Sequence, residues 1–122
     1  MKLNEVRFAG RPPIDGYGAG GFRIGGFAHA GGLLLLPERI GQWTPSDPMT
    51  PDCFADAIAA ASRIDVLLVG MGATIAPLPA AVRAALDAAG IGYDVMATPA
   101  ACRTFNVLLA EDRRVAAVLK PV

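Results

Sequence analysis

The stretch DVMATPAACRTFNVLLAEDRRVAAVL, residues 94–119, decides how this chain folds. Its two ends read as apolar strands, and the question is what joins them. NVLLAEDRRVAAVL, taken alone, also suits a β-hairpin closed by the four-residue turn EDRR. Thr98 and Pro99 separate the two readings. A Thr hydroxyl caps a helix start, and a Pro at the first helical position sacrifices no hydrogen bond, because that N–H has no partner inside the helix. A hairpin has no use for either. Ala101, Phe105, Leu108 and Leu109 then fall at i, i+4, i+7 and i+8, one apolar stripe of a helix. We therefore read Thr98 as the N-cap, a helix to about residue 110, a turn at 111–114 and a last strand in VAAVLKPV.

The same alternation extends upstream to Thr50. TPDCFADAIAAAS starts with Thr50 as cap and Pro51 inside it, and Phe54, Ala57, Ile58 and Ala61 share a face. IDVLLVG, residues 64–70, is the continuous apolar run of a strand covered on both sides. A second helix near 79–89 buries Val82, Ala85, Leu86 and Ala89 and stops at Gly90, and IGYDVMA is the next strand. Upstream of Thr50 the text is different. LNEVRF alternates like an edge or hairpin strand. The pieces 21–24, 27–30 and 33–36 are β-like and separated by glycines, which reads as a small antiparallel meander. PERIGQWTPSDPM, with three prolines, reads as a loop. The expected architecture is one α/β domain over residues 1–122: a three-layer sandwich preceded by a glycine-rich meander.

Composition narrows the function classes. In 122 residues, 53% of them apolar, eleven basic and eleven acidic side chains cancel, so the basic stripe that displaces counterions from nucleic acid is missing. All the basic residues except Lys2 and Lys120 are Arg, which reads as coding bias rather than function. Cys53, Cys102 and the single His29 make neither a disulfide framework nor a zinc set. Free thiols, no secretory pattern at the start, and charges at Asp56, Arg63 and Asp65 interrupting the most apolar region together suggest a cytoplasmic protein that does not span a membrane.

Two strand exits carry the candidate chemistry. Right-handed crossovers place GMGA (70–73) and ATPAAC (97–102) at the C-terminal ends of strands, the rim where open α/β sheets hold ligands. GMGA is neither a dinucleotide fingerprint, since Ile75 occupies the third glycine's place, nor a phosphate loop of the Gly-Lys-Ser/Thr type. It is either a ligand approach or a turn that leaves the sheet. Cys102, one turn into the helix and beside Arg103, sits where the helix dipole and a cation favour a thiolate, but it shares a face with Phe105 and Leu109 as a core residue would. Arg103 serves either as counterion to an anion at the helix start or as a structural partner. Asn106, unfavourable inside a helix, is expected to bond a neighbouring loop. Trp43 anchors a partner or covers one end of the sheet, and the charges at 111–114 read as a solvated turn.

IDGYGAGGFRIGG, GGLLLLP, Trp43, LLVGMGA and residues 94–119, taken together, closely resemble the Mth-type domain family, a family of unknown function, from about residue 4 to the C terminus. The C-terminal block is the most specific part. The resemblance implies a three-layer α/β fold with a central mixed sheet whose last strand runs antiparallel to its neighbours. It brings no catalytic residues to carry over. Family-like positions are Gly70, Gly72, Arg103, Thr104, Asn106 and Glu111, with Phe105 where Tyr is frequent. The chain departs from the pattern at Ala97 and Pro99, which removes support for an anion or metal role built on an acidic residue at 97. Eukaryotic members of the family include a factor that helps build respiratory complex I. The resemblance therefore implies protein partners, respiratory-complex subunits among them, and the absence of a mitochondrial presequence suits a bacterial relative.

Two functions are expected on these grounds. The first is a non-enzymatic binding or assembly protein without cofactor or metal. The second is a small anionic-ligand protein, or an enzyme, with a site between the Gly70–Ala73 loop and the Thr98 helix start. Its candidate residues are Gly70, Met71, Gly72, Ala73, Thr98, Cys102, Arg103 and Asn106.

Overall fold

The computed structural model describes residues 10–122, so the strand expected in LNEVRF lies outside the described residues. A five-stranded sheet in the order β5-β4-β8-β6-β7 forms the middle layer, built from β4 (Leu33–Leu36), β5 (Arg39–Gln42), β6 (Val66–Gly70), β7 (Tyr93–Met96) and β8 (Val115–Leu119). Strand side chains alternate in direction, so a run that is apolar throughout must be covered on both faces. Leu34, Leu36, Leu67, Val69, Ala116 and Val118 enter one buried cluster, and Leu33, Leu35, Leu68, Val115, Ala117 and Leu119 enter the other. The 3-10 turn Pro51–Phe54, α1 (Ala55–Ala59) and α2 (Ala80–Ala88) cover the first face, with Trp43 and Phe54 packed edge to face at 5.8 Å. The second face is covered by α3 (Thr98–Ala110) and by a separate three-stranded sheet, β1 (Ile14–Gly18), β2 (Gly21–Ile24) and β3 (Phe27–Ala30).

Residues 94–119 therefore form strand, helix and strand, and the hairpin alternative is not what the chain adopts. Connectivity explains why α2 and α3 lie on opposite faces. The chain steps outward from β6 to β7 through α2, then reverses past β6 to reach β8 through α3. Crossovers of one hand that travel in opposite directions place their helices on opposite sides of the sheet.

The sheet is mixed, as the resemblance implies, but the last strand corrects one detail. β8 is antiparallel to β4 and parallel to β6. It follows a crossover helix, so it enters at the same end as β6, and it runs down the middle of the sheet with all five residues buried. Two further expectations change. Residues 33–36 are not the third piece of a meander: LLLL has no polar face to turn to water, so it joins the large sheet between β5 and β8. The proline-bearing loop 37–49 contains β5, which pairs antiparallel with β4 as an edge strand. IDGYG supplies the strand that completes the small sheet, with an irregular register between Ile14 and Gly16.

Candidate functional site

The expected rim exists. Gly72 and Thr98 lie side by side where β6 and β7 end: the Thr98 N–H donates to the Gly72 carbonyl at 2.8 Å, and the Gly72 N–H donates to Thr98 Oγ1 at 2.9 Å. The same hydroxyl donates to the Lys120 carbonyl at 2.7 Å, which draws in the exit of β8 as well. Ladder bonds from Met71 N–H to the Met96 carbonyl and from Lys120 N–H to the Gly70 carbonyl, both 2.9 Å, continue the three strands up to this point. Thr98 is fully buried. It is not the N-cap: Ala97 holds that position, and Thr98, with helical backbone, aims its hydroxyl sideways at the sheet instead of at the helix's own N–H groups.

The two glycines of GMGA have separate physical reasons. A Cβ on Gly70 would lie 2.8 Å from Leu119 Cδ2, 2.9 Å from Thr98 Oγ1 and 3.2 Å from Thr98 Cα, closer than packed atoms tolerate. Gly72 has φ +95°, a backbone conformation that L side chains resist. Both positions let the β6 exit approach the start of α3 closely. Met71, between them, packs toward the α1 and α2 face, and Ala73 is exposed.

The remaining candidate residues are spread along α3. Cys102 is buried among Leu68, Phe105 and Val115, and desolvation pushes its thiol up to about 11. Burial outweighs the helix dipole and the adjacent Arg103, so the thiol is neutral at neutral pH. Arg103 is exposed and makes no ion pair among the described residues. Asn106 stands eight residues beyond Thr98, about 12 Å along the helix axis, and is turned to another task. Its Oδ1 accepts the Ile14 N–H and its Nδ2 donates to the Ile14 carbonyl, both at 2.8 Å. The side-chain amide thus pairs with β1 as a neighbouring strand would. The expected loop contact of Asn106 is a contact with the first described strand. Beside it, the Arg11 guanidinium lies 5.5 Å over the Phe105 ring, a cation–π contact across the same seam.

Other singled-out residues also have structural partners. Trp43 is buried, with Nε1 donating to the Cys53 carbonyl at 2.8 Å, so it covers the sheet and offers no anchor to a partner. His29 Nε2 bonds the Gly32 carbonyl at 2.8 Å. Arg114 in the 111–114 turn holds Asp65, at the entry to β6, through Nη2 to Oδ1 at 2.9 Å and its own backbone N–H to Oδ2 at 3.0 Å. These bonds hold the Asp65 carboxyl below its usual range. The turn is therefore solvated but not idle.

Cys53, beside Phe54 in a first turn, reads from the sequence as a structural residue; it does pack partly buried against the first cluster, but its sulfur also sits among donors. Its Sγ lies 3.4 Å from the Ser46 N–H, 3.3 Å from Ser46 Oγ, 3.5 Å from the Thr50 N–H and 3.8 Å from Thr50 Oγ1. Burial alone would raise this thiol, but the Ser46 and Thr50 donors outweigh it and bring the value to about 7. The only hint in the sequence is the presence of Ser46 and Thr50 in TPSDPMTPDC; nothing there shows that the loop curls back around the sulfur.

An open depression of about 440 Å³ lies on the small sheet, lined by Tyr17, Arg23 and His29 among others, and no rim residue borders it. Among the described residues no group of three or more His, Cys, Asp or Glu is placed to hold a metal ion, and no helix is long and apolar enough to cross a membrane.

Residues 14–120 match the family described as protein of unknown function (DUF498/DUF598). The chain belongs to this family. A Rhodobacter capsulatus protein, itself uncharacterised, is 47% identical over 122 residues, covering 100% of this chain and 94% of that one. Human NADH dehydrogenase (ubiquinone) 1 alpha subcomplex assembly factor 3 is 36% identical over 110 residues, which cover 88% of this chain and 60% of the human protein. This DUF498/DUF598 chain thus spans 60% of that relative's length. Among solved structures, a Bartonella henselae protein described as an outer membrane protein superposes with TM-score 0.88 at 43% identity, covering 95% of this chain and 99% of its own. A Mth938-like domain from Bordetella pertussis gives 0.79 at 27% identity, covering 99% and 92%. The fold described above is the Mth938-like fold of this family.

Proposed function

We propose that this DUF498/DUF598 protein is a non-enzymatic binding protein that serves the assembly of a respiratory complex in the bacterial cytoplasm, with respiratory subunits as its protein partners. The observation that carries this reading is the 36% identity to human complex I assembly factor 3 over 88% of the chain. The geometry supports it, because residues that sequence alone offered as chemistry are engaged in holding the fold. The Thr98 hydroxyl joins three strand exits, the Asn106 amide pairs with β1, and the Cys102 thiol is core. Affinity capture from the native cell at native expression tests the reading. Recovery of specific respiratory subunits supports it; recovery of nothing above background counts against it.

A second reading keeps the rim as a small anionic-ligand site lined by Gly70, Met71, Gly72, Ala73 and Thr98. It is favoured by the adjacency of Gly72 and Thr98 at two parallel strand ends and by the exposed Arg103, which makes no ion pair among the described residues, on the helix that starts there. Thermal-shift screening with anionic metabolites, comparing the native protein with Arg103→Ala, tests it. A ligand at a hundred times its Kd stabilises by about 2.7 kcal/mol, and that shift should shrink in the variant. Equal shifts in both proteins would remove Arg103 from the site.

A further inference from the structure

We draw no further inference here: the strongest candidate, the Cys53 thiol cupped by Ser46 and Thr50 in the 3-10 turn ahead of α1, is a lone cysteine with no second group beside it that points to a ligand.

Discussion

Replacing Thr98 by Val keeps the shape of the side chain but leaves the Gly72 N–H without its acceptor and the Lys120 carbonyl without its donor. A buried polar group left unpaired costs about 1–3 kcal/mol and the Lys120 carbonyl is only part-buried, so Thr98→Val should lose about 2–4 kcal/mol in urea denaturation. Thr98→Ser keeps the hydroxyl and should lose about 1 kcal/mol, mainly from the missing methyl. Equal losses in the two variants would show that packing, not hydrogen bonding, matters at this position. The two cysteines give a second residue-scale expectation, with opposite signs. In the unfolded chain both thiols ionise near about 8.5. Cys53, at about 7 when folded, ionises first in the native state, so it contributes stability above about 8.5 that is lost as pH falls through about 7. Cys102, at about 11 when folded, resists ionisation, so its contribution is present below about 8.5 and declines as pH rises toward 11. Iodoacetamide should label Cys53 with a rate that climbs through pH about 7, while Cys102 reacts only on unfolding, both read by peptide mass spectrometry. Comparable labelling of Cys102 in the native protein would contradict its buried placement. The Cys102 thiol was legible as a core residue from its spacing to Phe105 and Leu109. Cys53 also read as structural, but its lowered pKa was not legible, because it depends on a loop folding back over seven residues.

At the scale of elements, α3 and β1 are joined by contacts between residues far apart in sequence. Asn106 meets Ile14 across 92 positions. Periodicity located the helix, its apolar stripe and the turn that ends it, because those signals repeat within a few residues. It could not assign a partner to Asn106, since the bond is made to backbone atoms that any residue at position 14 would offer. The same limit explains β5 and β1. Both are short strands whose pairing is decided by a neighbour, with Arg39 and Gln42 in one and glycines in the other giving little β propensity. Asn106→Leu should therefore leave α3 intact while loosening the entry of the small sheet. Amide exchange at Ile14 should accelerate, with a global loss of about 1–3 kcal/mol from the unpaired Ile14 groups. Unchanged exchange at Ile14 would mean that Phe22, Ile24 and the Arg11–Phe105 contact hold β1 without the amide.

Across the whole molecule, the three-layer arrangement follows from runs such as LLLL, VLLVG and VAAVL, which offer no polar face and so demand cover on both sides. Strand order is a different matter. That β8 lies between β4 and β6 depends on α3 spanning back over β6, which no local pattern encodes. Function is less legible still, because Thr98, Cys102 and Asn106 serve the fold and a partner must read the surface that remains. Among the described residues the large exposed apolar side chains are Tyr17, Ile75 and Val107, at 46%, 66% and 52% exposure. Ile75 lies in the loop beyond Gly72, and Val107 on the outer side of α3. Neither belongs to a buried cluster, so Ile75→Lys and Val107→Lys should change stability by no more than about 0.5 kcal/mol. That makes them clean probes of the proposed assembly role: the variants fold as the native chain does, and any loss of captured respiratory subunits reports on docking alone. We expect capture to fall in at least one of them, measured beside an unchanged thermal midpoint. A fallen midpoint would show that these side chains support the fold after all, and full capture by both would move the partner's contact to another face.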